Sequence, residues 1–115
     1  MKVFFNNSCK ICKTEIDLYK KENVSEIEWI DISKNKEAQK ETNKNGKELL
    51  RRLHIKIDNQ TIGGAKAFLH LWKKIPKYRL LYKILKTPII FSIFNIMYEI
   101  VAYFLYLKNR KQLKD

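Results

Sequence analysis

The sequence predicts an α/β fold: a central mixed four-stranded sheet flanked by helices, with extra helices at the carboxyl end. Three observations carry this. Short apolar runs at Val3-Phe4-Phe5, Ile27–Ile32, His54–Ile57 and Thr61-Ile62 have the length and alternation of strands. Segments of helical periodicity separate most of them, which calls for at least one parallel crossover. The chain of 115 residues is 45% apolar, enough for one packed core and too short for two ordinary domains. General disorder is excluded by the same content, and two cysteines are too few for a disulfide-stapled secreted scaffold.

In chain order, residues 2–5 form the first strand, and Asn6-Asn7-Ser8 supplies turn and capping chemistry for a helix starting near Cys9. Ile16 and Tyr19 continue a helical stripe from Cys12, with Ile11 and Leu18 on its flanks, and Lys20-Lys21-Glu22-Asn23 ends it. Ile27–Ile32 is the second strand, and Ser33 is the expected N-cap of a polar helix over residues 34–44. A short helix after Gly46 runs through Leu49, Leu50 and Leu53 into the third strand, His54–Ile57. Asp58-Asn59-Gln60 reads as a hairpin turn before a brief fourth strand at Thr61-Ile62. A helix over residues 65–74 buries Ala67, Phe68, Leu71 and Trp72. Pro76 and Pro88 then bracket a short amphipathic helix through Tyr78, Leu81 and Leu85.

The chemistry concentrates in Cys9-Lys10-Ile11-Cys12, which holds both cysteines of the chain. Two thiols three residues apart across a strand-to-helix junction face one another over one helical turn. They form a redox couple or half of a metal site. The metal alternative has only His54 and His70 to add, and that is poor zinc spacing. The bland alternative leaves both thiols inert. A cysteine in the first helical turn feels the positive end of the dipole and unpaired N–H groups, which favour thiolate. Such thiols fall roughly between pKa 3.5 and 7.5, against about 8.5 for a free one. Cys9 is therefore the expected nucleophile, with Lys10 and Lys13 adding positive charge nearby. Cys12, one turn in, is expected to be the more buried, resolving thiol. In the expected cycle Cys9 attacks a substrate disulfide and Cys12 displaces the reduced substrate from the mixed disulfide.

The order strand, helix, strand, helix, hairpin, helix is that of a thioredoxin-like fold. The opening Val3-Phe4-Phe5-Asn6-Asn7-Ser8-Cys9-Lys10-Ile11-Cys12 resembles the DCC family of thiol-disulfide oxidoreductases. Trp29-Ile30-Asp31-Ile32, Leu53-His54-Ile55, Gly64 with Ala67-Phe68, Trp72, Ile75-Pro76 with Tyr78-Arg79, and Pro88 follow in that family's order. The expected organisation is a single thioredoxin-like domain over residues 1–115, with a redox core over 1–75 and a carboxyl-terminal helical extension over 76–115. Two departures stand out: Asn6 occupies the place of the family's aspartate, and Asn7 that of its usual glycine. Thioredoxins also place a cis-proline before the third strand, where this chain has Leu53-His54. Asn6, Ser8, Lys10 and His54 are the expected supporting residues around the dithiol, with no cofactor or metal.

Charge and the carboxyl-terminal half bear on partners. The net charge of +12 is uneven: residues 59–115 hold 11 basic and 2 acidic side chains. This asymmetry suits an anionic membrane surface or nucleic acid. Lysine supplies 20 of the 24 basic residues, and the isoleucine- and asparagine-rich composition reads equally as codon bias. No nucleic-acid motif accompanies the charge. Residues 89–107 are almost long and apolar enough to span a membrane. Ser92, Asn95, Glu99, Ala102 and Tyr106 recur at helical spacing, so a helix packed on the domain with this stripe as a narrow wet face is expected. Lys83 and Lys86 before it, and Lys108, Arg110, Lys111 and Lys114 after it, leave peripheral membrane contact as the alternative. The amino terminus lacks a secretory apolar run, so the expected location is cytoplasmic, at most membrane-peripheral. The expected partners are a disulfide-containing protein or small-thiol substrate and an electron donor. The contrasting expectation is a non-enzymatic basic module that docks on anionic lipid or nucleic acid.

Overall fold

In a computed structural model, residues 1–22 and 24–111 are described; Asn23 and Lys114, named above, lie outside them. The first strand, β1 (Lys2–Phe5), runs parallel to β2 (Glu28–Asp31) across helix α1 (Lys10–Lys20). Helices α2 (Lys36–Thr42) and α3 (Gly46–Arg51) lead to β3 (His54–Ile57), antiparallel to β1, and a tight turn leads to β4 (Gln60–Gly63). The sheet order β2-β1-β3-β4, with helices on both faces, is the mixed thioredoxin-like arrangement that the element order predicts. Asp58 and Asn59 take left-handed φ of 48° and 66°, the backbone a two-residue hairpin turn requires and one that aspartate and asparagine tolerate.

The period-two alternation of β1 divides the core. Val3 and Phe5 face Ile16 and Tyr19 of α1, together with Ala67, Phe68, Leu71 and Trp72 of α4 (Ala65–Lys74). Phe4 points the other way, into a smaller cluster with Ile32, Ala38 of α2 and Leu49 of α3. The register sets Ile55 against Val3 and His54 against Phe4, so those residues share the faces of their partners.

Several boundaries differ from the sequence expectation for local reasons. The N-cap of α2 is Asn35, whose carboxamide oxygen accepts from Ala38 N at 3.0 Å, and not Ser33. Ser33 instead turns its backbone N–H to Asp31 Oδ1 at 3.0 Å. Asn45 and Glu48 close a capping box on α3, which stops at Arg51 and leaves Leu53 outside it.

A short 3-10 turn, Pro76–Tyr78, leads to α5 (Arg79–Leu85) and then to α6 (Pro88–Asn109). The last helix corrects an expectation. Its polar stripe is a wet face only at its amino-terminal end: further along, Glu99 turns into the domain and meets Arg52 Nε at 3.0 Å and Arg51 Nη2 at 3.4 Å, and Ala102 is buried. Tyr98 accepts the Leu53 N–H at 2.8 Å, and Phe94 and Tyr98 pack on Phe68. Ser92 and Asn95 of the same stripe stay exposed. The apolar side of the helix faces outward, with Ile93, Ile96, Met97, Ile100 and Phe104 all more than half exposed.

A dithiol at the head of the first helix

The site starts where β1 ends. Asn6, buried at the strand terminus, accepts the Ser8 N–H at 3.1 Å and the Ser33 hydroxyl at 3.2 Å through Oδ1. Ser8 and Ser33 also join through their hydroxyls at 2.8 Å. Asp31, at the end of the neighbouring strand, accepts the Asn7 N–H at 3.0 Å through the same oxygen that holds Ser33. The ends of the two parallel strands are thus tied together beneath the turn that leads into α1. Ser8 belongs to this lattice, and Lys10 is exposed at the first position of the helix.

Cys9 is itself the N-cap of α1. Its backbone is extended (φ −91°, ψ 115°), and its Sγ accepts the Cys12 N–H at 3.3 Å. Sulfur here takes the place usually held by a serine or aspartate oxygen, so it sits on the donors at the helix head. Cys9 and Cys12 are joined as a disulfide, with Cα atoms 5.2 Å apart. Among the described residues no group of three or more His, Cys, Asp or Glu side chains could hold a metal ion.

The expected burial order is reversed. Cys9 is 2% exposed, whereas Cys12 is only partly buried. The cause is the local geometry: the N-cap lies at the sheet end, under the Asn6 turn, whereas position 12 has rotated toward a surface cleft. This cleft has a cavity of about 150 Å³, mostly apolar, bounded by Cys12, Ile11 and Glu15 of α1, Leu50 and Arg52 near α3, and Val101 and Leu105 of α6.

Sequence reasoning missed Glu15. It lies one helical turn beyond Cys12 and lines the same cavity, and burial pushes its carboxyl above the ordinary value, against the opposing hydrogen bond from Tyr19. Tyr19 Oη donates to Glu15 Oε1 at 2.7 Å and accepts Trp72 Nε1–H at 3.0 Å, so the carboxyl ends a chain of hydrogen bonds that starts in the core. The i, i+3 spacing from Cys12 was the signal that could have found it.

His54 is not brought to the dithiol. Paired with Phe4, it lies on the opposite sheet face from α1, its Nδ1 at 2.9 Å from Arg52 O and its other ring edge against Gly63. Burial lowers its pKa. His70 is exposed on α4 and far along the chain from the site elements.

Among comparisons with known proteins, the family profile described as DCC1-like thiol-disulfide oxidoreductase matches residues 3–111. No curated protein and no solved structure matches the chain.

Proposed function

The chain belongs to the DCC1-like thiol-disulfide oxidoreductase family, and from that premise we propose that it exchanges disulfides through Cys9 and Cys12, with Cys9 as nucleophile and Cys12 as resolving thiol. The single observation that carries the assignment is Cys9 at the N-cap, its sulfur on the Cys12 N–H. Negative charge on that sulfur is favoured by the helix dipole and by the N–H, and a thiolate is the attacking species.

The proposed cycle balances as follows. The Cys9 thiolate attacks one sulfur of a substrate disulfide, forming the mixed disulfide and releasing the other substrate sulfur as thiolate, which takes a proton from water. Cys12 then loses its proton, attacks Cys9 Sγ and expels the second substrate thiolate. The protein leaves oxidised by two electrons and the substrate reduced by two. Glu15 is the carboxylate placed to receive the Cys12 proton, because it shares the cavity that Cys12 lines. An electron donor of the thiol class restores the dithiol. The substrate is a protein disulfide or a small-molecule disulfide.

One observation favours a second reading, in which the roles are exchanged: in the disulfide, Cys12 is the accessible sulfur and Cys9 is buried. An incoming substrate thiolate would attack Cys12 and expel Cys9, whose N-cap setting makes it the better leaving group. Trapping decides between the readings. Cys12→Ser accumulates substrate on Cys9 under the first, and Cys9→Ser accumulates it on Cys12 under the second. If neither variant holds an adduct on incubation with a disulfide-bonded test protein or with oxidised glutathione, the oxidoreductase reading fails.

A further inference from the structure

We propose that the outer face of α5 and α6 docks on an anionic lipid bilayer, with α6 lying along the membrane surface. The observation is an inverted helix. Over its most apolar 18 residues α6 has a mean hydropathy of 1.7, yet Ala102 is the one residue of the helix that is buried. At 100° per residue, Ile89, Ile93, Ile96, Ile100 and Phe104 fall on one broad side, and each is more than half exposed. Leu80, Leu81 and Ile84 of α5 are exposed as well. A soluble monomer rarely leaves so continuous an apolar surface in water.

Charge selects the occupant. Between residues 76 and 111 the basic side chains are Lys77, Arg79, Lys83, Lys86, Lys108, Arg110 and Lys111, and the acidic one is Glu99. Glu99 is turned inward onto Arg51 and Arg52. The apolar strip therefore has cationic ends and no outward carboxylate. Anionic headgroups neutralise such ends. A second copy laid on the same strip would set lysines against lysines in either orientation.

Attachment of the inner stripe decides how the helix lies. Tyr98 bonds the Leu53 N–H and Phe94 packs on Trp72, so a spanning position would strip these contacts from the domain and carry Glu99 into lipid. Lying in the interface keeps all of them. Ile11 and Val101, both exposed, flank the cavity beside Cys12, which brings the docked face to the rim of the dithiol. Docking itself does not depend on thiol chemistry.

The test is flotation of the full chain with vesicles of phosphatidylcholine, with and without phosphatidylglycerol. Binding is expected only to the anionic vesicles, weakened by salt, about tenfold or more weaker in Ile96→Glu/Ile100→Glu, and unchanged in Cys9→Ser/Cys12→Ser. Both isoleucines are exposed, so the variant's melting curve should match the parent's. Lys83→Gln/Lys86→Gln/Lys108→Gln, which leaves the apolar strip intact, should lose the preference for phosphatidylglycerol. Absence of flotation with either vesicle overturns the proposal. If sedimentation then shows a dimer that Ile96→Glu/Ile100→Glu dissociates, the face belongs to a second copy. Resistance to alkaline extraction with α6 protected from protease would overturn it in favour of a spanning helix.

Discussion

Replacing Gly63 by alanine tests whether His54 is a packing residue and not part of the redox site. Gly63 is opposite His54 in the β3–β4 ladder, and a Cβ built there would lie 2.7 Å from His54 Nε2 and 2.8 Å from Cδ2. The backbone of Gly63 needs no left-handed φ, so the alanine itself is unstrained. The cost comes from the ring, which is buried and held at 2.9 Å on Arg52 O. Overpacking of this kind costs about 1–3 kcal/mol, and pushing the ring off its carbonyl adds about 1 kcal/mol. Removing a strand glycine returns about 0.5–1 kcal/mol. The net expectation for Gly63→Ala is a loss of about 2 kcal/mol. In a His54→Ala background there is no ring to displace, and the same change should be neutral or stabilising by up to about 1 kcal/mol. Urea unfolding of the four proteins of this cycle, all oxidised, measures the coupling. Equal cost in both backgrounds would refute the reasoning. So would loss of disulfide exchange in folded His54→Ala protein, because the ring lies across the sheet from α1.

Further predictions concern the dithiol, its neighbours and pH. Reducing the Cys9–Cys12 disulfide should destabilise the domain by no more than about 2 kcal/mol, because closing so small a loop removes little chain entropy; a melt with and without dithiothreitol measures it, and unfolding on reduction would contradict a reversible couple. Tyr19→Phe should cost about 1–3 kcal/mol, since it strands the buried Trp72 Nε1–H that bonds Tyr19 Oη. Asn6→Asp should fold, because its Oδ1 acts as an acceptor from Ser8 and Ser33, and a change in the rate of exchange would show that the family's carboxylate acts on the dithiol. Burial holds the His54 pKa below its reference of 6.5, so the unfolded chain binds the extra proton first. Its contribution is complete above pH 6.5 and falls as pH drops toward the lowered native value. Glu15 runs oppositely: its raised pKa costs stability as pH rises from 4.5 through the native value. His54→Ala should therefore lose less stability than the parent between neutral and mildly acidic pH, as read by urea unfolding.

The strands and the dithiol were legible because both depend on neighbours close in sequence. Alternation in Val3-Phe4-Phe5 assigns residues to the two sheet faces, and a three-residue spacing places Cys9 and Cys12 across one turn wherever the helix lies. The Asp58-Asn59 turn was legible for the same reason, since its backbone is set by those two residues. Helix α2 was placed correctly but capped two residues too early, because Ser33 and Asn35 are both good caps. Asp31 holds the Ser33 N–H, and Asn35 is left to cap Ala38.

What the sequence determined by itself is the sheet's composition, the order of the elements and the pairing of the two thiols, all consequences of backbone periodicity. Tertiary structure alone decided which cysteine is covered, which side of the sheet holds His54, and which side of α6 turns inward. Those outcomes depend on groups far apart in the chain. The wall of the Cys12 cavity comes from α3 and α6, and Glu99 finds its partner Arg52 47 residues away. Because α6 is apolar around most of its circumference, its hydrophobic pattern does not fix its rotation. The partly buried ion pairs of Glu99 with Arg51 and Arg52 and the hydrogen bond from Leu53 to Tyr98 do, and they leave the isoleucines outside.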